Sequence, residues 1–544
     1  MLCSADWPRT HGDPPTSTRP QVLSDRMETQ RAPTVEELLG QRLLRNVAPN
    51  MLDDLPLLIS PELFKEAFTG GHVEVLKAMV QAWPFPCLPL GALMKMRRLE
   101  TSHTELGEEN LQPFKAVLAG LDALLALKDP SRWQLKVLDL RDVHGDFWSR
   151  GPGAVTDTLE AEAGEKKAGE AEPGMEAQPA LRVLAHLCLE APGASGVQGD
   201  GSQGCLLEWA GKRTAAVHLC CEKVTIESSN ARTVLRLLCA VQLDSVRELV
   251  VHSSWNRDGT REFFRELTKM TNLQTFHFSS LSPRRFPSHS KNKRYSRLYA
   301  THLAQLQGLR EFHVDDVFFL RGRLHKILRS ATPLESLSLS SSPLREGDLL
   351  HLTFNPTMSQ LKHLLLRKFS MKLFSREVLP LLLEQAAGTL ETLALEHCEL
   401  TNAKLLAILP ALSLCSRLQT FSCYGNHISL GVLQKLLRVT LGLSQITQGL
   451  YPAPRESYEA KCVSQFVCPE QFPWVRERLT PLLKDIRPSL RVRICTYSCD
   501  SCTMCQFYSL EPTGSWEVTQ ECRYGTRLQC QNCVHPELGT CNQS

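Results

Sequence analysis

The sequence predicts an α/β fold: a leucine-rich-repeat solenoid curved like a horseshoe, with parallel strands on its concave face and helices on its convex face. Three observations predict it. The pattern Leu-x-x-Leu-x-Leu recurs along most of the chain, and a segment long enough for an amphipathic helix follows each copy. The composition, 42% hydrophobic and 22% charged over 544 residues, is that of a globular protein. A helical N-terminal cap and a cysteine-rich C-terminal tail flank the predicted solenoid.

The N-terminal part of the chain divides into two segments. Residues 1–31 are rich in Pro, Thr, Ser, Arg and Asp without hydrophobic periodicity, so we predict a disordered tail. In residues 32–130 apolar side chains return to helical spacing, which predicts the helical cap. The start of the chain has no signal-peptide core, and no apolar run is long enough to span a membrane. We therefore expect a protein of the cytoplasm and nucleus that does not contact membranes.

The repeated pattern occupies residues 131–490. Its apolar positions belong to a short strand and point inward, while the side chains between them face outward. The copies begin at Leu135, Val246, Leu273, Leu309, Leu334, Leu361, Leu390, Leu418 and Leu443. From Val246 onward the steps are 27, 36, 25, 27, 29, 28 and 25 residues, which fits leucine-rich repeats of roughly 20–29 residues with one insertion.

Two charged segments interrupt the predicted solenoid. Residues 151–179 carry seven acidic side chains against two lysines, which predicts a disordered acidic linker. Residues 281–297 carry six Lys and Arg and no acid, and they account for the long step as a basic loop insertion. This loop is either a contact for nuclear import or for an acidic partner, or a plain exposed loop.

Cysteines are concentrated at the C-terminus, where residues 491–544 hold eight of the twenty in the chain. The pairs Cys502-x2-Cys505 and Cys530-x2-Cys533 form two short knuckles that can offer four thiolates to one tetrahedral zinc ion. Cys495 and Cys499 can instead replace one of these pairs or help to hold a second ion, and disulfides and free thiols are the further alternatives. The cysteines elsewhere mostly lie singly in apolar runs, which is typical of small buried side chains.

Contacts with a protein partner are expected from the outward-facing positions of the predicted strands. The selected positions are His277, His313, Asp315, Ser338, His363, Thr392, Glu396 and Tyr424. A mixed polar column with few large anchors does not identify the target. A solvated face is the alternative for each position taken singly.

Several ordered motifs resemble one family. The segment from His72 to Gly91, HVEVLKAMVQAWPFPCLPLG, closely resembles the N-terminal signature of PRAME proteins (preferentially expressed antigen in melanoma). Further similar segments are Trp133 to Trp148, Leu219-Cys-Cys-Glu-Lys, Phe318-Phe-Leu-Arg-Gly-Arg, Tyr424-Gly-Asn-His and Leu450-Tyr-Pro-Ala-Pro-Arg-Glu-Ser-Tyr. The resemblance implies leucine-rich-repeat substrate receptors that reach a cullin and RING subunit through Elongin B and Elongin C. It also implies transcriptional corepressors that act on the retinoic acid receptor.

Receptors of this class bind their adaptor through an N-terminal helix that inserts apolar side chains into a groove. The resemblance therefore implies an adaptor contact near the start of this chain. The resemblance places it at Leu43, Val47 and Met51, followed by Leu63 and Phe64. Val47 stands where a small residue is usual and Pro49 interrupts the helix. A plain cap for the solenoid is therefore the alternative.

Function is expected to be binding. The chain contains no nucleophile elbow, phosphate loop or His-Glu-x2-His motif, so we expect no enzyme. The resemblance implies a ligase subunit that promotes proteasomal degradation of its targets and so affects transcription, differentiation, proliferation and apoptosis. The alternative is a corepressor or scaffold without a ligase. Direct nucleic-acid binding is not expected, because the net charge is only +3.

The zinc hypothesis is tested by measuring the metal content of the purified chain. Wild-type protein should carry about one more equivalent of zinc than a Cys502→Ser/Cys505→Ser variant, because two of four tetrahedral ligands are lost. Equal zinc content in the two proteins would contradict the site.

Overall fold

The computed structural model describes residues 60–100, 111–127, 134–151, 181–190, 201–253, 255–281, 289–328, 333–458, 467–468, 470–484, 486–496 and 504–522. The strands are β1 Cys87–Pro89, β2 Val137–Asp139, β3 Leu181–Leu189, β4 Val217–Ile226, β5 Val241–Gln242, β6 Glu248–Val251, β7 Thr275–Leu281, β8 Glu311–Val317, β9 Ser336–Ser340, β10 His363–Arg367, β11 Thr392–Glu396, β12 Thr420–Ser422, β13 Gln448–Pro452, β14 Arg491–Cys495, β15 Met504–Leu510 and β16 Trp516–Cys522.

The α-helices alternate with these strands. They are α1 Ser60–Gly70, α2 Val73–Gln81, α3 Leu90–Glu100, α4 Gln112–Leu125, α5 Gly145–Arg150, α6 Gly201–Gly211, α7 Ala231–Leu238, α8 Arg257–Leu267, α9 His289–Leu303, α10 Leu324–Leu328, α11 Glu346–Thr353, α12 Val378–Ala386, α13 Asn402–Ser413, α14 Leu430–Leu441 and α15 Phe472–Leu483. Within the described ranges, none of these helices has the length and apolarity needed to cross a membrane.

All strands of the described residues belong to one sheet. Strands β1 to β14 are parallel and follow one another in chain order, with β5 as a short branch on β4. Strands β15 and β16 are antiparallel and end the sheet. A long parallel sheet in sequential order, with a helix in most connections, is compatible with a leucine-rich-repeat solenoid.

The repeat pattern locates the strands closely. In eight of the nine predicted copies the strand begins two residues after the first apolar residue, as Thr275 follows Leu273. The exception is the copy at Leu443, whose strand begins five residues later at Gln448. The apolar positions point inward because the strand has a two-residue period, and Leu334, Leu337 and Leu339 are accordingly buried.

The core lies between the sheet and a layer of helices. Successive helices from α9 to α15 contact their neighbours in chain order, so they lie side by side on one face of the sheet. The inward side chains of strands and helices form one continuous cluster of buried residues. The opposite face of the sheet, which we call the open face, carries the outward side chains.

A left-handed residue recurs at the carboxyl ends of five successive strands. Asp316, Ser341, Lys368, His397 and Gly425 have φ values between 47° and 73°. Their spacing of 25, 27, 29 and 28 residues repeats the spacing of the leucine pattern. The conformation costs on the order of 1–3 kcal/mol at a residue other than glycine. At three of these positions the amide extends the ladder to the next repeat: Ser341 to Arg367, Lys368 to Glu396 and His397 to Tyr424.

Buried Asn426 joins two repeats at this turn. Its Oδ1 accepts from the amides of Cys398 (3.2 Å) and Leu400 (3.0 Å). Its Nδ2 donates to the carbonyls of Leu395 and Cys423, both at 2.7 Å. One amide side chain thus satisfies four buried backbone groups.

The N-terminal helices continue the same core. Phe64 of α1 contacts Trp83 and Trp148, with ring centroids 5.1 and 5.8 Å apart. The indole of Trp83 donates to the Cys87 carbonyl (3.0 Å), and that of Trp148 to the Pro89 carbonyl (2.7 Å). Because both carbonyls belong to β1, the aromatic cluster fastens the helices to the first strand.

The structure differs from the sequence expectations in three places. Strand β1 lies inside the segment expected to be a helical cap, and the sheet continues beyond residue 490 through β14 to β16. Helix α9 covers most of the predicted basic loop 281–297, because Tyr299 and Leu303 give it a buried face. Helix α6 begins within residues 193–204, a glycine-rich segment whose composition predicts a mobile loop. Leu206, Leu207 and Trp209 bury one side of this helix.

Other expectations lie outside the described residues. These are the tail 1–31, the acidic linker apart from Gly151, residues 282–288 of the basic segment and the last residues of the cysteine-rich module, 523–544.

Replacing Asn426 should weaken the fold. We expect Asn426→Ala to lower the free energy of unfolding by about 3 kcal/mol or more, because it leaves buried backbone donors and acceptors without partners. Urea denaturation of the full chain measures the loss. The matched control is Asn272→Ala, which removes one exposed bond to the Asp244 carbonyl (2.8 Å). Equal midpoints for the two variants would contradict the role given to Asn426.

Candidate partner-binding surface

The open face presents its side chains in rows, because neighbouring parallel strands keep their register from β6 to β14. One row runs Glu248, Thr275, Glu311, Ser336, His363, Thr392, Thr420, Gln448 and Arg491. The next runs Val250, His277, His313, Ser338, Leu365, Ala394, Ser422, Leu450 and Arg493. The residues that alternate with these outward positions along each strand point into the core. The spacing between the outward side chains is therefore fixed.

Six predicted contact residues reach the open face and keep solvent exposure. His277, His313, Ser338, His363 and Thr392 are half-buried, and Asp315 is exposed in addition. His277 and His313 are direct partners across β7 and β8. The register of these strands places the side chains on one surface.

Three imidazoles cluster at one end of this surface. The ring of His277 lies 5.5 Å from that of His252 and 6.1 Å from that of His313, measured between centroids. Nε2 of His313 is 3.2 Å from Oε2 of Glu311. Burial and the neighbouring His252 and His313 lower the pKa of His277, against an opposite effect of Asp315 and Glu248. His277 is therefore mainly neutral at pH 7.

Glu396 corrects the sequence expectation of an exposed contact, because it is only 2% exposed. Nε of Arg367 donates to its Oε2 (2.8 Å), and the Ser422 hydroxyl donates to its Oε1 (2.6 Å). Arg367 is the direct cross-strand partner of Glu396. A carboxylate held in this way braces three adjacent strands and is not available to a partner.

Tyr424 is a second correction, since its side chain is fully buried. It forms a small apolar cluster with Leu450, Cys495 and Phe507 that is separate from the main core. His397 also meets its ring edge-on at 4.9 Å. Phe507 belongs to β15, so the antiparallel end of the sheet covers the open face at this point.

The predicted adaptor residues separate into two groups. Leu43, Val47 and Met51 lie outside the described residues. Leu63 and Phe64 are core residues, 2% and 0% exposed, which corrects the expectation of a direct adaptor contact. Both side chains belong to the main core, and Phe64 packs in the aromatic cluster against Trp83 and Trp148.

The predicted zinc ligands are mostly beyond the described ranges. Cys502, Cys530 and Cys533 lie outside them, and Cys505 pairs with Glu521 in the β15–β16 hairpin. In the part of the chain that is described, one group brings three donor atoms within 4.8 Å of one another: Cys188, Glu190 and Glu227. Burial and both carboxylates raise the pKa of the Cys188 thiol to about 11.

Three short segments of the form Leu-x-x-Leu-Leu could serve as receptor-binding helices only if their leucines were exposed. In α12, α14 and α15 these leucines belong largely to the core. Leu433, Leu436 and Leu437 are each fully buried. Packing therefore accounts for the motifs.

Two features of the site were not found from sequence. The bond network of Asn426 was missed, although an asparagine just beyond a repeat strand is a signal for it. The sequence also did not predict that His252, His277 and His313 lie together. His252 comes directly after β6, and only the register of β6 and β7 brings it next to His277.

Comparison with known proteins gives two family matches. The model of the PRAME N-terminal domain matches residues 32–148, and that of the PRAME C-terminal domain matches residues 181–516. Human PRAME family member 12 is 38% identical over 499 residues, which is 90% of this chain and 97% of the relative. Human PRAME family members 20 and 7 are each 36% identical, covering 89% and 90% of this chain and 99% of each relative. None of these names is an enzyme name.

The Arg367–Glu396 pair should be worth more to stability than an exposed charge on the same face. Arg367→Ala should lower the free energy of unfolding by about 2–3 kcal/mol, because the buried carboxylate of Glu396 loses its partner. Arg367 is itself partly exposed to solvent, which limits the loss. Arg491→Ala, at an exposed position of β14, is the control and should change stability by less than about 0.5 kcal/mol.

A double-mutant cycle completes this test. The loss in Arg367→Ala/Glu396→Ala should be smaller than the sum of the two single losses, since the pair is coupled. Additive losses in urea denaturation would contradict a direct interaction.

Proposed function

Because the chain belongs to the PRAME family, we propose that it is a substrate-recognition subunit of a cullin-RING ubiquitin ligase. It holds a protein target while another chain supplies the ubiquitin-transfer chemistry. Its targets are then degraded by the proteasome, which couples the protein to transcription, differentiation, proliferation and apoptosis. We place this activity in the cytoplasm and nucleus.

One observation carries the binding part of the proposal: the open face is a registered, mixed polar surface on a rigid sheet. Sites on strands are held more firmly than sites on loops, because core packing fixes their spacing. Ser338, His363 and Thr392 are half-buried there and Asp315 is exposed, so donors and acceptors are presented at regular intervals. We propose that this stretch of β8 to β11 contacts the target, as the concave face of a horseshoe-shaped solenoid.

The ligase part of the proposal rests on the family resemblance of the N-terminal segment. We propose that Leu43, Val47 and Met51 bind the Elongin B and Elongin C adaptor, through which the cullin and RING subunit are reached. Phe64 supports this contact indirectly, because it anchors α1 to the aromatic cluster and thereby to the sheet, and Leu63 is buried in the same core.

A corepressor or scaffold of retinoic acid receptor signalling without ligase association is the second candidate. The burial of Leu433, Leu436 and Leu437 argues against a receptor contact through that helix. We propose that a corepressor would use the open face instead. We also keep the zinc ion on Cys502, Cys505, Cys530 and Cys533 as a proposal about the C-terminal module.

Adaptor binding can be tested by affinity capture of the full chain from cells, with the co-purifying proteins identified by mass spectrometry. Wild-type protein should retain Elongin B, Elongin C and a cullin. Leu43→Ala should lose most of all three together, because one apolar anchor typically contributes a factor of 10 or more in affinity. Arg45→Ala, a change of a charged residue in the same segment, is the matched control.

The two candidates give different results in this experiment. Complete absence of elongins and cullin from the wild-type capture, with receptor or chromatin proteins retained, would reject the ligase and favour the corepressor. Equal recovery of elongins with Leu43→Ala and wild type would show that the adaptor contact lies elsewhere.

A further inference from the structure

Three imidazoles lie next to one another on the open face. His277 and His313 are opposed across β7 and β8, and His252 follows β6. The centroid distances of 5.5 and 6.1 Å connect the three rings in a row. Imidazole nitrogens bind Zn²⁺ at about 2.0–2.1 Å, which places the centroids of two rings on one ion roughly 5–6 Å apart.

In each of the outer two rings, one nitrogen already faces a protein partner. Nδ1 of His252 is within hydrogen-bond distance of the Ser279 hydroxyl, and Nε2 of His313 faces the Glu311 carboxylate at 3.2 Å. A metal-binding histidine commonly uses one nitrogen for such a partner and the other for the ion. Among the described residues, Nε2 of His252, Nδ1 of His313 and both nitrogens of His277 make no hydrogen bond that would compete.

The charges around the cluster favour a cation. The groups that face His277 are His252 and His313, which disfavour its protonation, and Asp315 and Glu248, which favour it. Glu248 is already paired with Lys223 at 2.6 Å. Asp315 is exposed two residues after His313 and opposes Ser279 in register, so its carboxylate borders the imidazoles.

We propose that His252, His277, His313 and Asp315 bind a divalent transition-metal ion such as Zn²⁺ on the open face. Three neutral imidazoles and one carboxylate are a donor set that suits such ions. Binding requires the half-exposed rings to turn about their side-chain bonds, because the donor atoms of this cluster are not within 4.8 Å of one another in the metal-free arrangement.

The closer-spaced group Cys188, Glu190 and Glu227 is a weaker candidate. A metal ligand must be a thiolate, whereas burial and two carboxylates keep the Cys188 thiol protonated at neutral pH. The two glutamates are exposed, and exposed carboxylates commonly cluster without an ion.

The test measures Zn²⁺ bound per chain by equilibrium dialysis and elemental analysis at pH 7.5. To remove the contribution of the C-terminal cysteines, all proteins carry Cys502→Ser and Cys505→Ser. In this background the His277→Asn/His313→Asn variant should bind one equivalent less than its parent. The His186→Asn/His363→Asn variant removes two other histidines and should bind as the parent does. At pH 5.5 the difference should vanish, because protonated imidazoles do not bind the ion.

A direct structural readout keeps the proposal falsifiable if the histidine variant folds poorly. Crystals of the wild-type chain grown with ZnCl₂ should show an anomalous difference peak at the zinc edge among the three rings. An empty cluster in that map would overturn the proposal. Equal zinc content of the His277→Asn/His313→Asn variant and its parent would also overturn it. So would a loss of zinc in the His186→Asn/His363→Asn control as large as in that variant, because such a loss indicates non-specific binding.

Discussion

The structure depends on one constraint: no single strand and helix of this chain can bury its apolar side chains alone. The leucine and phenylalanine side chains that point inward from each strand are covered only when neighbouring repeats stack beside them. Each buried side chain of this kind contributes roughly 1.5–3 kcal/mol. Stacking also fixes the register, because a shift by one residue would turn every leucine outward.

Register has consequences for the turns at the carboxyl ends of the strands. The left-handed residues Ser341, Lys368 and His397 are tolerated because their amides bond to the next repeat. Asn426 continues this linkage inside the core, and Trp83 and Trp148 provide it at the N-terminal end. The same backbone path that joins the repeats therefore positions the outward rows of the open face.

The sequence predicted the strands well because their signal is local. Leu273 and the residues that follow it carry the inward and outward positions of β7 within a few residues. Side-chain environments could not be predicted in the same way. Glu396 has the outward position expected for a contact, yet Arg367, 29 residues earlier, and Ser422 enclose it. Phe64 is buried by Trp83 and Trp148, which lie far along the chain, and Tyr424 is covered by Phe507. Such burial is decided by tertiary contacts that no short motif records.

The central claim is that the open face, and not the helix layer, recognises the protein partner. Quantitative affinity capture of two charge-reversed variants tests it most directly. Asp315→Arg changes the exposed carboxylate of the open face, and Glu384→Arg changes an exposed carboxylate of α12 on the helix layer. The account predicts that Asp315→Arg loses target proteins while elongins are retained, and that Glu384→Arg binds as wild type does. Loss of the targets with Glu384→Arg alone would contradict it.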